Sequence, residues 1–219
     1  MPAVYFLKKE LRELVKTYKI LTLPAVFLFF GLLGPITAKF LPDILKSLSG
    51  QNGIYYDPSK LGYSPYIGAY DQFFQNLNQI GFIIMILMFM GIVAGEKVKG
   101  SATLVLTKSL SRPWFIIDKF FSAVILFTLS FILGSAACIY YTYLLFPAFY
   151  NTWLIPGLFF LWLYGIFIIS VVIFSSTLAR SYIISAVMSF IIFIALSSFG
   201  LLPKIGEYSP SFLGGIGTA

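Results

Sequence analysis

FFSAVILFTLSFILGSAACIYYTYLLFPAFYNTWLIPGLFFLWLYGIFIISVVIFSSTLA, residues 120–179, is a run of 60 residues without a single charged side chain. An apolar α-helix of about 20 residues crosses the roughly 30 Å hydrocarbon core of a bilayer, whereas this run as one straight helix would reach about 90 Å. Pro147, Asn151, Pro156 and Gly157 supply turn chemistry near its centre. The stretch therefore predicts two membrane-spanning helices joined by a short turn.

The remainder of the chain repeats this pattern of long uncharged runs. Hydrophobic residues make up 59% of the sequence and charged residues 11%, whereas a soluble domain is about one quarter charged. Continuous apolar runs lack the alternation of a barrel strand, so the spanning segments are expected to be helices. We predict an all-α polytopic membrane protein, a single domain over 1–219, with five spans at about residues 20–38, 76–95, 115–145, 155–179 and 182–202.

The distribution of Lys and Arg predicts the orientation. Eleven of the 15 lie before the first span, between the second and third, or between the fourth and fifth, and four lie on the other side. Because cytoplasmic loops are enriched in these residues, the amino terminus and the 96–114 loop are predicted to be cytoplasmic and the 39–75 loop external. The basic clusters are interpreted as topology signals and contacts with anionic lipid, not as a nucleic-acid site.

Two segments outside the spans have their own patterns. In residues 1–19, apolar side chains recur every three or four positions opposite a basic face, which predicts an amphipathic helix lying in the membrane interface. This helix could anchor the chain only, or could also transmit movement. The 39–75 loop carries aromatic and turn residues, which either rest at the outer interface or form a surface that gates a substrate.

Several kinds of chemistry are missing from the sequence. It has no histidine and one cysteine, Cys138, which excludes Ser-His and Cys-His nucleophile pairs and histidine-containing metal sites. No carboxylate falls in the middle of a predicted span, which disfavours transport driven by buried charge. The segment 95–101 has the glycine spacing of a phosphate-binding loop, but Ser101 stands where that motif requires lysine. We expect no enzymatic activity, metal or cofactor in this chain.

The polar segment GEKVKGSATLVLTKSLSRP, residues 95–113, interrupts two apolar runs. Gly95 and Gly100 enclose its first charges, Ser101 can cap a short helix, and Pro113 suits the first turn of the next span. Leu104 and Leu106 are apolar residues in the centre of that helix, and Lys108 is a cation near its end. Such a segment could insert into a groove on a cytosolic partner, or could lie on the lipid surface.

This arrangement resembles the permease subunits of ABC-2 type ABC transporters. In that family the first cytoplasmic loop carries a glutamate, a glycine followed by threonine, leucines, a serine–arginine pair and a lysine that enters the third span. The corresponding residues here are Glu96, Gly100, Ser101, Leu104, Leu106, Ser111, Arg112 and Lys119. By topology the likeness covers nearly the whole chain, whereas the motif itself is confined to residues 95–119.

The resemblance implies that the 96–114 loop is a coupling helix that docks on a separately encoded ATPase, which binds ATP and Mg. It implies a homodimer or heterodimer of permease subunits in the cytoplasmic membrane of a bacterium or archaeon. Gly95 and Lys119 would pass movement into the second and third spans, and the planar guanidinium of Arg112 suits a carboxylate of the partner. An exported lipid or peptide would fit the aromatic spans, but the substrate stays open.

The chain departs from the family pattern at two points. Ser109 stands where the family often has proline before the serine–arginine pair. Five spans are predicted where the family usually has six, so we expect a sixth span to be absent from the present sequence. The alternative function is a non-catalytic membrane scaffold or assembly factor that recruits a cytosolic protein without ATPase activity. A membrane-embedded enzyme is the third possibility, disfavoured by the missing histidine.

Overall fold

In a computed structural model the chain forms a helical bundle. The structure describes residues 9–10, 12–49, 65–98, 100, 112–146 and 154–199. A short N-terminal helical segment, residues 9–16 without residue 11, precedes seven α-helices. They are α1 Lys19–Ser49, α2 Pro65–Asn76, α3 Phe82–Phe89, α4 Ala94–Val98, α5 Arg112–Leu145, α6 Leu154–Leu178 and α7 Tyr182–Phe199, with a π-helical turn Leu77–Gly81 between α2 and α3. These ranges contain no strand, which confirms the all-helical prediction.

Within the described part of the chain, four stretches of helix are long and apolar enough to cross a membrane. They are Lys19–Phe40, Tyr66–Val98, Pro113–Leu145 and Leu154–Leu178, and each contains most of one predicted span. The predicted fifth span corresponds to α7, an apolar helix of 18 residues whose most apolar part, Tyr182–Ser197, is shorter than the other four. Its predicted end at residue 202 lies outside the described residues.

Helices extend into both ends of the segment that was predicted as the external loop. Helix α1 continues to Ser49 and α2 begins at Pro65, so much of the 39–75 segment is helical. The polar residues of α2, among them Asp71, made the segment resemble a loop. Its other face buries Tyr70, Phe73 and Phe74, and α2 packs along α1. Burial of this aromatic face explains why α2 is helical despite its low overall hydrophobicity.

The second spanning stretch is not one regular helix. As 33 residues of α-helix it would be about 50 Å long, more than the hydrocarbon core requires. It is interrupted by the π-helical turn and again by a turn over residues 90–93. Such interruptions change the direction of a helix. The second one separates the short helix α4, which leads into the predicted coupling loop, from the rest of the span.

Small residues allow a close helix crossing between α1 and α5. A Cβ added to Gly31 would overlap the carbonyl oxygen of Gly134, and one added to Gly134 would lie 2.7 Å from the carbonyl oxygen of Phe27. The rings of Phe27 and Phe127 meet edge to face with centroids 5.9 Å apart. Glycine is needed at this crossing because the two backbones are in contact.

Helix α6 also contributes to the buried core. Phe82 and Tyr164 pack edge to face with centroids 5.2 Å apart, and the ring of Phe127 lies directly against Gly165. Helix α7 packs on α6. Many large apolar side chains on the outer faces of α5, α6 and α7 are exposed, as expected for helices that face lipid.

Candidate functional site: a buried charged junction

Three chain segments meet at a buried group of charges. The ammonium Nζ of Lys119 in α5 lies 2.9 Å from Oε2 of Glu10 and 2.9 Å from Oε1 of Glu96 in α4. The exposed fractions of the side chains are 2% for Lys119, 5% for Glu10 and 9% for Glu96. We call these three residues the charged junction. Because Glu10 belongs to the N-terminal helical segment, the junction connects that segment to both α4 and α5.

Local helix geometry places each member. Glu10 and Leu14 are one turn apart on the buried face of the N-terminal segment. Glu96 lies in the first turn of α4. Lys119 lies on the buried face of α5, and its ammonium is 5.1 Å from the centroid of the Phe115 ring. The long aliphatic stem of lysine packs among apolar groups while its ammonium reaches the carboxylates.

A second lysine lies at the edge of the junction. Nζ of Lys9 is 3.5 Å from Oε1 of Glu10, 3.5 Å from Oε1 of Glu96 and 4.0 Å from Oε2 of Glu13. Burial would lower the pKa of Lys9, but the carboxylates of Glu96, Glu10 and Glu13 outweigh it and raise that pKa. Burial raises the pKa of Glu10, by more than the ammonium of Lys119 lowers it.

Oxygen atoms of Glu10, Glu13 and Glu96 all lie within 4.8 Å of one another, a spacing that could hold a metal ion. The ammonium groups of Lys119 and Lys9 already lie among these carboxylates. These ammonium groups provide the charge compensation that buried carboxylates require. We therefore interpret the cluster as an ion-pair network, whose chemistry is the joining of separate segments.

The raised pKa of Glu10 predicts a pH dependence of stability. The folded state holds the Glu10 proton more tightly than the unfolded chain, whose pKa is near 4.5. This contribution to the free energy of unfolding is complete below that value and is lost as the pH rises through the higher folded pKa. We expect Glu10→Gln to remove this loss of stability. Between pH 4.5 and 7.5, the thermal midpoint of Glu10→Gln should therefore fall less than the midpoint of the wild type. Tryptophan fluorescence measures both midpoints. Glu13→Gln, at a half-exposed site, is the control; parallel curves for wild type and Glu10→Gln would contradict the assignment.

Helix α4 is held on its other side by Ser176 of α6. The Ser176 hydroxyl accepts hydrogen bonds from the backbone N–H groups of Val93 at 3.1 Å and Ala94 at 3.0 Å, and donates one to the carbonyl of Met90 at 2.9 Å. Met90 and Val93 belong to the turn before α4, and Ala94 is the first residue of α4. Lys97 also donates a hydrogen bond to the carbonyl of Thr177. Four hydrogen bonds therefore join the α4 region to the end of α6.

A tyrosine at the start of α7 completes this attachment. A Cβ at Gly91 would lie 2.5 Å from the Tyr182 ring, and one at Gly95 would lie 2.7 Å from its hydroxyl oxygen. The ring therefore packs directly on the backbone of both glycines. The sequence predicted that Gly95 couples the loop to the second span; the structure places it against α7 as well.

Ser176 offers a sharp test of this attachment. Ser176→Ala would leave the N–H groups of Val93 and Ala94 and the carbonyl of Met90 without this partner. Leaving a buried polar group unpaired lowers the free energy of unfolding by about 1–3 kcal/mol. We expect a lower thermal midpoint and faster hydrogen exchange at the amides of Val93 and Ala94. The neighbouring Ser175 is fully buried, and its hydroxyl has no hydrogen-bond partner among the described residues, so Ser175→Ala is the matched control and should be neutral or slightly stabilising. Equal effects of the two variants would contradict the role of Ser176.

The structure describes only part of the predicted coupling loop. Within the predicted loop, residues 96–114, α4 extends to Val98 and α5 begins at Arg112. Gly100 has a φ of +72°, a left-handed conformation that favours glycine. The predicted contact residues that lie outside the described residues are Ser101, Leu104, Leu106, Lys108 and Ser111.

Sequence reasoning identified two members of the junction, Glu96 and Lys119, as parts of a loop motif. It did not predict that their side chains form an ion pair. It missed Glu10, although the i,i+4 spacing from Leu14 was a usable signal. It also missed Ser176 and Tyr182. Serine and tyrosine are common in apolar helices, so no local pattern distinguishes these two from others in the chain.

Comparison with known proteins gives one informative result. No protein-family model matches the chain, and no solved structure matches it. Over 179 residues it is 28% identical to an uncharacterized transmembrane protein, YxlG of Bacillus subtilis (strain 168), covering 80% of this chain and 67% of that protein. Together with the four long apolar helices, this similarity indicates a helical membrane protein.

Proposed function

We propose that the chain is the transmembrane permease subunit of an ATP-binding cassette exporter, which couples ATP hydrolysis in a separate subunit to export of a substrate. The charged junction is the observation that carries the proposal. Glu96 precedes the 99–111 segment and Lys119 follows it, and their ion pair at 2.9 Å joins the two ends. Glu10 attaches the N-terminal segment at the same point. A force applied to this segment would thus act on three elements together.

The contacts of α4 suggest how the movement continues. Ser176 and Tyr182 hold α4 to α6 and α7, so a shift of α4 would move the cytoplasmic ends of those helices. ATP can drive the shift only through contacts that differ between states. In this mechanism the contacts of Leu104 and Arg112 with the ATPase change when ATP binds. Buried ion pairs suit such a transition, because they favour specific arrangements more than they add stability.

The proposal includes a topology and a set of partners. The chain crosses the cytoplasmic membrane five times with its amino terminus inside, and α7 is the fifth span. Two permease chains, identical or related, form the path, and two ATPase subunits bind below them. ATP and Mg are held by the ATPase, and this chain has no catalytic role of its own.

The test is association with an ATPase. The chain is co-expressed with a P-loop ATPase encoded by a neighbouring gene, and the complex is purified through a tag on the chain. We expect Leu104→Ala with Arg112→Ala to reduce the recovered ATPase at least tenfold, while Lys16→Ala with Leu129→Ala, at two exposed positions outside the loop, leaves it unchanged. Equal recovery from both variants would overturn the coupling assignment. Recovery of a cytosolic protein without ATPase activity would favour the scaffold.

A further inference from the structure

A cavity of about 490 Å³ lies beside the charged junction. It is a partly open cavity lined by the N-terminal helical segment, the end of α3, the turn over 90–93 and the start of α4, with single residues from α1, α5 and α7. Its volume falls within the range of about 300–1,000 Å³ that is typical of small-molecule sites. Nothing in the proposed coupling mechanism uses this space.

One wall of the cavity carries equal numbers of positive and negative groups. Among the described residues, three carboxylates and three ammonium groups line it: Glu10, Glu13, Glu96, Lys9, Lys19 and Lys119. Glu10, Glu96 and Lys119 form the buried floor. Lys9 and Glu13, each about half exposed, lie nearer to solvent. A ligand with a net charge would leave that charge uncompensated in this partly desolvated space, whereas a zwitterion would not.

A second wall of the cavity is apolar and adjoins an exposed apolar strip. Leu87, Met88 and Ile92 line the cavity. Leu87 is also exposed, as are Ile83, four residues earlier on α3, and Ile80 on the π-helical turn. These three side chains form a strip along the outside of the second spanning stretch that ends in the cavity. A ligand that matches both walls has a zwitterionic head and a hydrocarbon tail.

We propose that this cavity binds the headgroup of a zwitterionic phospholipid that carries a primary ammonium group, with an acyl chain along Ile80, Ile83 and Leu87. The ammonium groups of Lys9 and Lys19 suit the phosphate. The carboxylate of Glu13 accepts N–H donors from the lipid ammonium, which a quaternary choline headgroup lacks. Such a lipid would join the N-terminal segment to α3 on the membrane side of the junction.

The experiment measures lipid retention by the purified full chain. The detergent-solubilised protein is stripped of lipid, mixed with equimolar phosphatidylethanolamine, phosphatidylcholine and phosphatidylglycerol of identical acyl chains, and analysed by native mass spectrometry. We expect at least threefold more phosphatidylethanolamine than either other lipid. Equal retention of the three, or a preference for phosphatidylglycerol or phosphatidylcholine, would overturn the proposal. Glycerophosphoethanolamine, the soluble headgroup, should not compete at the same concentration; if it does, the ligand is not a lipid.

Two variants locate the site. Met88→Trp fills the cavity and should abolish the preference for phosphatidylethanolamine, whereas Ile132→Trp, at an exposed position on α5, should retain it. Glu13→Lys replaces the acceptor for the lipid ammonium with a cation at a half-exposed position and should shift the preference to phosphatidylglycerol. If Met88→Trp keeps the wild-type lipid preference, or if Glu13→Lys does not change it, the lipid binds elsewhere and the proposed site is wrong.

Discussion

Lys119→Met is expected to lower the free energy of unfolding by about 3–5 kcal/mol, the cost of leaving buried charges without their partner. Lys119 is the buried cation between Glu10 and Glu96, at 2.9 Å from each, and its loss leaves two carboxylates close together. Methionine keeps most of the apolar stem, so the loss of packing contributes little. The midpoint can be followed by maleimide-dye labelling of Cys138, the single cysteine, which is buried in the folded protein.

The control for this prediction removes all three charges. Glu10→Gln and Glu96→Gln combined with Lys119→Met leave no buried ion, and replacing a complete buried ion group by neutral residues is often close to neutral in stability. The triple variant should therefore recover most of the stability that Lys119→Met loses. A single variant as stable as the wild type would show that the junction is solvated and is not a buried ion-pair network.

The triple variant also separates stability from coupling. If the junction transmits movement, the recovered protein should still bind the proposed ATPase, because Leu104 and Arg112 are unchanged, but ATP hydrolysis should no longer drive transport in reconstituted vesicles. A purely structural junction would leave transport intact once stability is restored. This outcome would contradict the proposed role without affecting the fold.

The second large effect is expected at the crossing of α1 and α5. A Cβ at Gly31 overlaps the carbonyl oxygen of Gly134, and a backbone atom cannot move aside as a side chain can. Gly31→Val should force the helices apart, weaken the contact between Phe27 and Phe127, and lower the free energy of unfolding by about 3 kcal/mol or more. Gly31→Ala should have a smaller effect of the same sign.

Gly68 in α2 provides the matched control. A Cβ there meets no atom within 4 Å, so Gly68→Val should change stability little, and Gly68→Ala should raise it by about 0.5–1 kcal/mol through helix propensity. The same Cys138 labelling assay measures all four variants. Similar midpoints for Gly31→Val and Gly68→Val would contradict the close backbone crossing.

The sequence alone was sufficient to predict the helical class and the approximate positions of the four long apolar helices found in the described residues. The reason is local: backbone groups in lipid must be hydrogen-bonded within a segment, so an uncharged run of sufficient length has one available structure. The same reasoning failed at α2, where Asp71 and its neighbouring glutamines resemble a loop. Burial of Tyr70 and Phe73 against α1 is a tertiary effect, and composition does not reveal it.

What only the tertiary structure decided is which distant residues meet at the charged junction. Glu10 and Lys119 are 109 residues apart in the chain, and the Ser176 hydroxyl meets the Val93 amide across 83 residues. The apolar runs determined that these helices form, because the cost of exposed backbone in lipid depends on each segment separately. Their pairing depends on small packing differences, such as two glycines that allow α1 to touch α5, and on one lysine that lies between two carboxylates from different helices.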